Sequence, residues 1–461
     1  MNSYLFLLFF ILGILVLLKP LVTYGFKFWL RMPSWRKPAL LSLTLAGVCL
    51  GYIVSRTNWT EYASLLILFT LACIIIFKSF LVLIIEPVMR GLTSKVLKHY
   101  WWFGIPSAAI LWCLGIWLLL WSYMGEIEQL QGCDSDQKLQ VVCGILNPED
   151  IVTTPDQTFL IIPEFGGIGP YHSPEDRGTG RLMLVSPETG SSAAAHIDFG
   201  DNVWGDGVCQ RDEGMALSPH GIDLKQRTNG KWQLAVINHH PRETIEIYEL
   251  IEDKEEWKLV WRGCVTVPPA NYLNDVSLSS DGSFYVSHMY DHSFTVNDAL
   301  MAAFLKHNTG YVMRWDKDLG FSEVPGTEGS HPNGIVYDEV NGLLYVAHTF
   351  GDRIDAVDMS QGKVISSYNI NSPDNLVLRY GALWSTSWDH SIPDMAVCED
   401  KSPCALPFSV YKLKPKTLQL DKRWLFNHTI IGLGTVAFPL KDQIWIGTAR
   451  GDRLAFFEQR D

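Results

Sequence analysis

Four short clusters of acids and amides stand out in the polar part of the chain: Glu149-Asp150, Asn274-Asp275, Asn333 ahead of Gly334, and Asp374-Asn375. Singly, each is an ordinary turn or cap sequence, because Asp and Asn bond readily to nearby backbone. Together they offer carboxylate and amide oxygens in a local setting that recurs. Calcium takes about six to eight hard oxygen ligands of this mixed kind. Zinc or copper would call for nitrogen and sulfur instead. If the fold gathers the four clusters, the chemistry is that of a calcium centre.

Gathering them requires a repeating scaffold. From about residue 140 no helical periodicity is sustained, apart from one helical stretch read over Val296–Leu305. Short β-rich runs recur instead, each led by turn residues. They are Gln157–Pro163, Lys231–Ile237, Gly282–Ser287, Gly342–Ala347, Gly381–Thr386 and Asp442–Gly447. Phe284-Tyr285-Val286 and Leu344-Tyr345-Val346 typify them. Six occurrences over about 320 residues give a period of about 55, which suits four strands plus loops, one blade of a β-propeller. A β-sandwich would explain the strands but not the sixfold recurrence. In a propeller, loops at one mouth of the central channel bring side chains from several blades to one ion.

Composition divides the chain in two. Of 37 Lys and Arg, ten precede residue 126, against only two of the 49 acids, Glu61 and Glu86. The remainder, with 27 basic and 47 acidic residues, carries −20. Phosphate contact needs a basic face, so a nucleic-acid partner is not expected. Six cysteines lie in the polar part: Cys133, Cys143, Cys209, Cys264, Cys398 and Cys404. An even number permits three disulfides whose pairing sequence leaves open, with Cys398 and Cys404 read as a local pair. Cys49, Cys73 and Cys113 lie in apolar runs and read as inert packing residues.

The apolar runs are Tyr4–Val22, Ala39–Val54, Tyr62–Phe77 and Trp101–Tyr123. A span needs about 20 apolar residues, and four spans are expected. A cleaved signal peptide is the weaker reading of the first run, which lacks a basic start and a small-residue cleavage site. Lys27, Arg31, Arg36 and Lys37 follow the first run, and Arg90, Lys95 and Lys98 precede the last. Basic loops face the cytoplasm. The Arg56–Glu61 link and the acidic exit at Glu126 and Glu128 then face away. Both termini and the polar domain are therefore expected outside the cell or in a lumen, at the plasma membrane or endoplasmic reticulum. The cysteine count and the acceptor sequons at Asn58 and Asn427 agree with that placement. The runs hold no acid or histidine, so they read as an anchor in the lipid bilayer rather than a transport path.

The fold class expected is thus an all-β six-bladed β-propeller preceded by an α-helical membrane domain of about four transmembrane helices. Its divisions are 1–125 for the helices, 126–142 for a linker and 143–461 for the propeller.

From about Cys143 onward the chain resembles the serum paraoxonase/arylesterase family, six-bladed propellers with two channel calcium ions. The resemblance rests on PED at Pro148–Asp150, SPHGI at Ser218–Ile222, INHHP at Ile237–Pro241, LND at Leu273–Asp275, PNGI at Pro332–Ile335, PDN at Pro373–Asn375 and GTVAFPLKDQIWIGTA at Gly434–Ala449. Seven stretches in the family's order span about 70% of the chain. The resemblance implies a catalytic calcium held by Glu149, Asn274, Asn333, Asp374 and Asn375. It implies a structural calcium held by Asp150, Asp275 and the backbone carbonyl of Ile222. The catalytic ion would polarise a lactone or aryl ester carbonyl and stabilise the oxyanion. A histidine pair would activate water, as suits a side chain that titrates near neutrality. His220 matches its first member. His239 and His240 compete for the second, with the His-Pro step favouring His240.

Departures are plain too. The family's disulfide ends at a C-terminal cysteine, but Leu454–Asp461 contains none. His288, Asp291, His292, Asp389 and His390 lie in the segments of the family's active-site wall but out of register. Several spans replace one anchor. A non-catalytic reading therefore stands beside the enzyme: a membrane-tethered scaffold or chaperone that keeps its calcium and meets membrane-protein partners through the helical region.

Overall fold

The computed structural model describes residues 2–54, 63–122, 130–166, 178–254, 256–389, 405–427 and 429–459. The chain falls into two units, Met1–Glu126 and Ile127–Asp461.

The first unit is helical: α1 (Asn2–Leu17), α2 (Lys19–Arg31), α3 (Arg36–Val54), α4 (Ala63–Lys98) and α5 (Tyr100–Ser122). The apolar runs fold as expected into helices, with α2 added. Pro20 sits in the first turn of α2, where a missing N–H costs nothing. Among the described residues no single helix is long and apolar enough to cross a membrane. Two bent pairs reach that mark by length and composition, Phe9–Leu17 with Val22–Arg31 at 79° and Ala72–Ser79 with Leu83–Lys98 at 100°. Helix α4 also has a bend at Ile85 (φ −125°, ψ 44°), two residues before Pro87, which removes a donor and crowds the preceding turn. Glu86, beside that bend, accepts from the Trp35 N–H at 2.8 Å and from Arg90 Nε at 2.9 Å. Arg90 also donates to the Leu30 and Met32 carbonyls at 3.1 and 2.7 Å. This polar knot ties the turn between α2 and α3 to α4. The Arg56–Glu61 link, with Asn58, and the exit at Glu126 and Glu128 lie outside the described residues.

The second unit has five four-stranded sheets and one five-stranded sheet. Blade I comprises Val152–Thr153, Leu160–Pro163, Leu182–Val185 and Ser192–Ala194. Blade II comprises Pro219–Gln226, Trp232–Asn238, Thr244–Asp253 and Glu256–Thr266, with Ile197–Phe199 on its outer edge. Blade III comprises Asn271–Leu278, Phe284–Asp291, Tyr311–Asp316 and Gly320–Glu323. Blade IV comprises Pro332–Asp338, Leu343–His348, Arg353–Asp358 and Lys363–Asn369. Blade V comprises Pro373–Arg379, Ala382–Trp388, Phe408–Leu413 and Leu420–Phe426. Blade VI comprises Gly434–Leu440, Gln443–Thr448 and Arg453–Glu458, completed by Gln140–Cys143 from the other end of the unit. All six recurring runs become second strands, and the helix over Val296–Leu305 (α6) is present.

Apolar clusters lie between successive blades and close the ring. Leu234 and Trp261 of blade II meet Ile161 and Leu182 of blade I. Phe284 and Trp315 of blade III meet Ile237 and Ile247 of blade II. Further clusters join III to IV, IV to V, V to VI and VI to I. The unit is therefore a six-bladed β-propeller. Its ring is closed by strand pairing, Gln140 against Phe456 through Cys143 against Arg453, and not by a terminal disulfide. Cys133–Cys143 is a local bridge beside that closing strand, and Cys209–Cys264 ties the loop ahead of blade II to its fourth strand. Cys398 and Cys404 lie outside the described residues, and Cys49, Cys73 and Cys113 are free thiols. Asn427 is exposed.

Candidate functional site

The first strand of each blade runs along the channel and is an edge strand, with backbone groups that need partners. All six share one irregularity. Between Pro219, paired with Asn238, and Ile222, paired with Val236, blade II carries one extra residue on the inner strand. The same bulge lies between Leu273 and Val276, Pro332 and Ile335, Pro373 and Leu376, and Gly434 and Ala437. In blade I it lies between the Pro148–Glu164 bridge and Val152, paired with Ile161. A bulge lifts residues out of the ladder and turns them toward a shared point. The lifted residues are Glu149-Asp150, His220-Gly221, Asn274-Asp275, Asn333-Gly334, Asp374-Asn375 and Thr435-Val436. The four clusters met in the sequence are thus four of six equivalent positions around one channel. Glycine at 221 and 334 allows close approach: a Cβ on Gly221 would fall 2.6 Å from the Asp275 Cα, and one on Gly334 2.4 Å from the Asn375 Cα.

The lifted groups divide into two sets. Asp150 accepts from its neighbour Ile151 N–H at 2.7 Å and from Ile222 N–H across the blade boundary at 2.8 Å. Asp275 does the same with Val276 N–H and Ile335 N–H, both at 2.7 Å. These two carboxylates stitch the inner edges together. The contact that the structure shows at Ile222 is its N–H, donated to Asp150, and both acids have backbone partners.

The second set is different. Glu149, Asn274, Asn333, Asp374 and Asn375 are 1–4% exposed, and each has a buried oxygen with no hydrogen-bond partner: Glu149 Oε2, Asn274 Oδ1, Asn333 Oδ1, Asp374 Oδ2 and Asn375 Oδ1. Orphaned buried oxygens are costly. Asn375 Nδ2 donates to Glu149 Oε1 at 2.9 Å, so its own oxygen is turned away from the glutamate. Thr435 Oγ1 donates to the Glu149 carbonyl at 2.6 Å and fixes that backbone. Among the described residues no group of three His, Cys, Asp or Glu could hold a metal; this set depends on amides. Two carboxylates and three amide oxygens fit a hard cation, and they fit calcium.

Charge points the same way. Burial, then repulsion from Glu149, pushes Asp150 up to about 8. Burial followed by the charge of Asp150 raises Asp275 well above the usual carboxylate range, and burial followed by Glu149 does the same to Asp374. A buried nest of acids needs protons or a cation.

Beside this set lies a chain of side chains. His220 Nδ1 is 2.9 Å from His239 Nε2, and His239 Nδ1 is 2.8 Å from Glu243 Oε1. At the other end, His220 Nε2 is 3.7 Å from Glu149 Oε2. Phe165 stacks on His220 at 4.2 Å and Tyr272 on His239 at 4.7 Å, fixing both ring planes. Burial holds His220 below the ordinary imidazole value, with Glu149 pulling it back up. The expectation that His240 partners His220 is corrected: the turn after Asn238 points His239 inward, while His240 is half-buried and outside this chain. Glu243, Phe165 and Tyr272 were missed. Only the spacing of Glu243, four residues after His239 across a turn, hinted at a contact.

The remaining candidates are scattered. His288 is buried against Tyr311, and desolvation lowers it to about 4. His292 Nε2 lies 4.0 Å from Glu243 Oε1. Asp291 accepts from Ser293, and Asp389 pairs with Arg423 at 3.3 Å. His390 lies outside the described residues.

Comparison with curated proteins finds no match. Among solved structures, a luciferin-regenerating enzyme is 13% identical with a TM-score of 0.41, covering 69% of this chain and 95% of its own. A calcium-binding protein, regucalcin, from Agrobacterium tumefaciens is 11% identical with a TM-score of 0.39, covering 68% of this chain and 90% of its own. At such scores the reading of the site rests on its own geometry. Residues 230–391, from the second strand of blade II into blade V, match the family model described as SMP-30/Gluconolactonase/LRE-like region. This stretch of the six-bladed propeller is thus similar to that family's region, and it includes His239, Glu243, Asn274, Asn333, Asp374 and Asn375.

Proposed function

We propose that this protein is a calcium-dependent hydrolase of lactones or aryl esters, of the serum paraoxonase kind. One observation carries the reading: a buried histidine relay ends 3.7 Å from an orphaned oxygen of a hard-cation donor set. Calcium bound by Glu149, Asn274, Asn333, Asp374 and Asn375 would polarise the carbonyl of the substrate. His220 Nε2 takes a proton from the attacking water. His239 holds the opposite nitrogen of that ring, and Phe165 keeps its plane. Buried walls around the pair limit competing water. The matched region, in a family described by a gluconolactonase, agrees with lactone chemistry. A second ion on Asp150, Asp275 and the Ile222 carbonyl belongs to the same proposal.

The helical unit is proposed as a lipid-bilayer anchor, with the propeller outside the cell or in a lumen. Large apolar side chains exposed on its helices, Leu41, Leu45, Ile84 and Ile110 among them, support this, as do ten basic residues against two acids. Resistance of the full chain to alkaline extraction from membranes tests the anchor.

The deciding experiment is turnover of phenyl acetate and a δ-lactone by the full chain in detergent, with calcium or with EDTA. Calcium-dependent hydrolysis is expected. No turnover, with calcium still raising the melting temperature, sinks the hydrolase and leaves the scaffold reading.

A further inference from the structure

Of the polar chain beside the channel, the hydrolase reading uses the two histidines and leaves Glu243 without a task. Glu243 is the first residue after the turn that carries His239, and its Oε1 lies 2.8 Å from His239 Nδ1. A carboxylate accepts and does not donate. The proton in this contact therefore belongs to His239 Nδ1. His239 Nε2 then carries none and accepts from His220 Nδ1 at 2.9 Å. That proton on His220 Nδ1 leaves His220 Nε2 as a bare lone pair on the side of Glu149 Oε2. The whole polarity of the relay follows from its last member.

We propose that Glu243 is a positioning residue that sets the tautomers of both histidines and so makes His220 Nε2 the base, an inference that rests on the hydrolase reading for its consequence but not for its geometry. When water gives a proton to His220 Nε2, its oxygen bonds to the ester carbon. The Nδ1 proton of His220 can pass to His239 Nε2, and the resulting imidazolium faces the Glu243 carboxylate. As the carbonyl re-forms and the ester C–O bond breaks, the proton returns through His239 to His220, whose Nε2–H protonates the leaving oxygen. The positive charge that develops on the relay is met by the Glu243 carboxylate, which is the task the third member performs in other relays. Tyr272, stacked on His239 at 4.7 Å and edge-on to His292 at 5.1 Å, holds the ring in that orientation.

Histidine-selective 15N NMR of the full chain in detergent reads the tautomers directly, with or without turnover. The wild type is expected to show His239 protonated at Nδ1 and bare at Nε2, the reverse of the tautomer favoured by free imidazole side chains. Glu243→Leu is expected to lose that signature and to lower kcat on the order of 100-fold with KM little changed. Glu243→Gln, whose amide oxygen still accepts from Nδ1, should keep the signature and most of the rate. His239 found as the Nε2–H tautomer in the wild type overturns the proposal, as does a folded Glu243→Leu variant with unchanged kcat. If the wild type turns over no ester, the hydrolase reading has failed, and the NMR result alone decides the role of Glu243. Should the leucine variant not fold, the wild-type spectrum and the glutamine variant still decide it.

Discussion

Two glutamates in the propeller are equally buried and have opposite surroundings. Glu246, 1% exposed in the third strand of blade II, accepts from Thr244 Oγ1 at 2.7 Å, Trp261 Nε1 at 2.8 Å and Arg211 Nη1 at 3.3 Å. Arg211 in turn donates to the Met215 and Ala216 carbonyls. Glu149, 2% exposed in the channel, has one donor, Asn375, and repels the buried acids Asp150, Asp275 and Asp374. The first site is complete, and the protein alone satisfies it. The second is short of positive charge by design of its neighbours, since the bulges deliver further acids and amides instead of a Lys or Arg. Burial alone therefore does not mark function. A buried acid that the fold leaves unanswered does.

The largest expected effect tests the unanswered site. Removing calcium with EDTA should abolish ester turnover and lower the melting temperature, and Glu149→Gln should cost at least about 1,000-fold in rate even with calcium present. In EDTA the two glutamates should part in sign. Glu149→Gln relieves repulsion and should melt no lower than the wild type, whereas Glu246→Gln should melt lower in either condition. A lower melt for Glu149→Gln in EDTA breaks the comparison.

His220→Gln should lower kcat by about 100- to 10,000-fold while keeping the calcium-induced rise in melting temperature. Loss of that rise would show His220 to be part of the ion's support. Glu246→Leu, which strands the buried Arg211 guanidinium, should cost about 3–5 kcal/mol in denaturant titration. Adding Arg211→Leu should recover much of it; a double variant no better than the single one would mean that Glu246 acts through something other than its pairing. At the small end, Asp421→Ala removes a 2.9 Å pair with Lys412 that is open to water on both sides. It should cost less than about 1 kcal/mol, a baseline against which both buried sites can be read.

How much of this was legible depended on where each signal is written. The second strands, such as Leu343–His348, are buried on both faces, so they read as apolar runs and gave the sixfold repeat. The helix over Val296–Leu305 was read as a helical stretch, and the structure adds that Thr295 and Asp298 open it with a capping box. The acid and amide clusters were visible because each sits at a bulge, where the residue type is set by the channel. The bulges themselves were not visible, because a register shift is a property of two strands. The choice between His239 and His240 failed for a related reason: which of two adjacent side chains points inward depends on the turn, and sequence held only the His-Pro step. Glu243 and the twofold use of Asp150 and Asp275 depend on contacts across blades or turns that no local pattern encodes. In the helical unit, the runs announced the helices but not α2 as a separate element or the break at Ile85.

The closing strand has a consequence for how such a chain comes into being. Gln140–Cys143 leaves the ribosome long before its partner Arg453–Glu458, so blade VI has no complete edge until nearly the whole domain has been synthesised. Domains generally begin folding from the N-terminal side during synthesis, but this ring cannot be sealed in that order. The early strand must wait, unpaired, through the translation of five blades, and pairings this distant in sequence form slowly. Glu149 and Asp150 follow that strand by a few residues. Their channel is therefore among the last features of the nascent protein to be enclosed, and the calcium proposed for it could enter from an open ring.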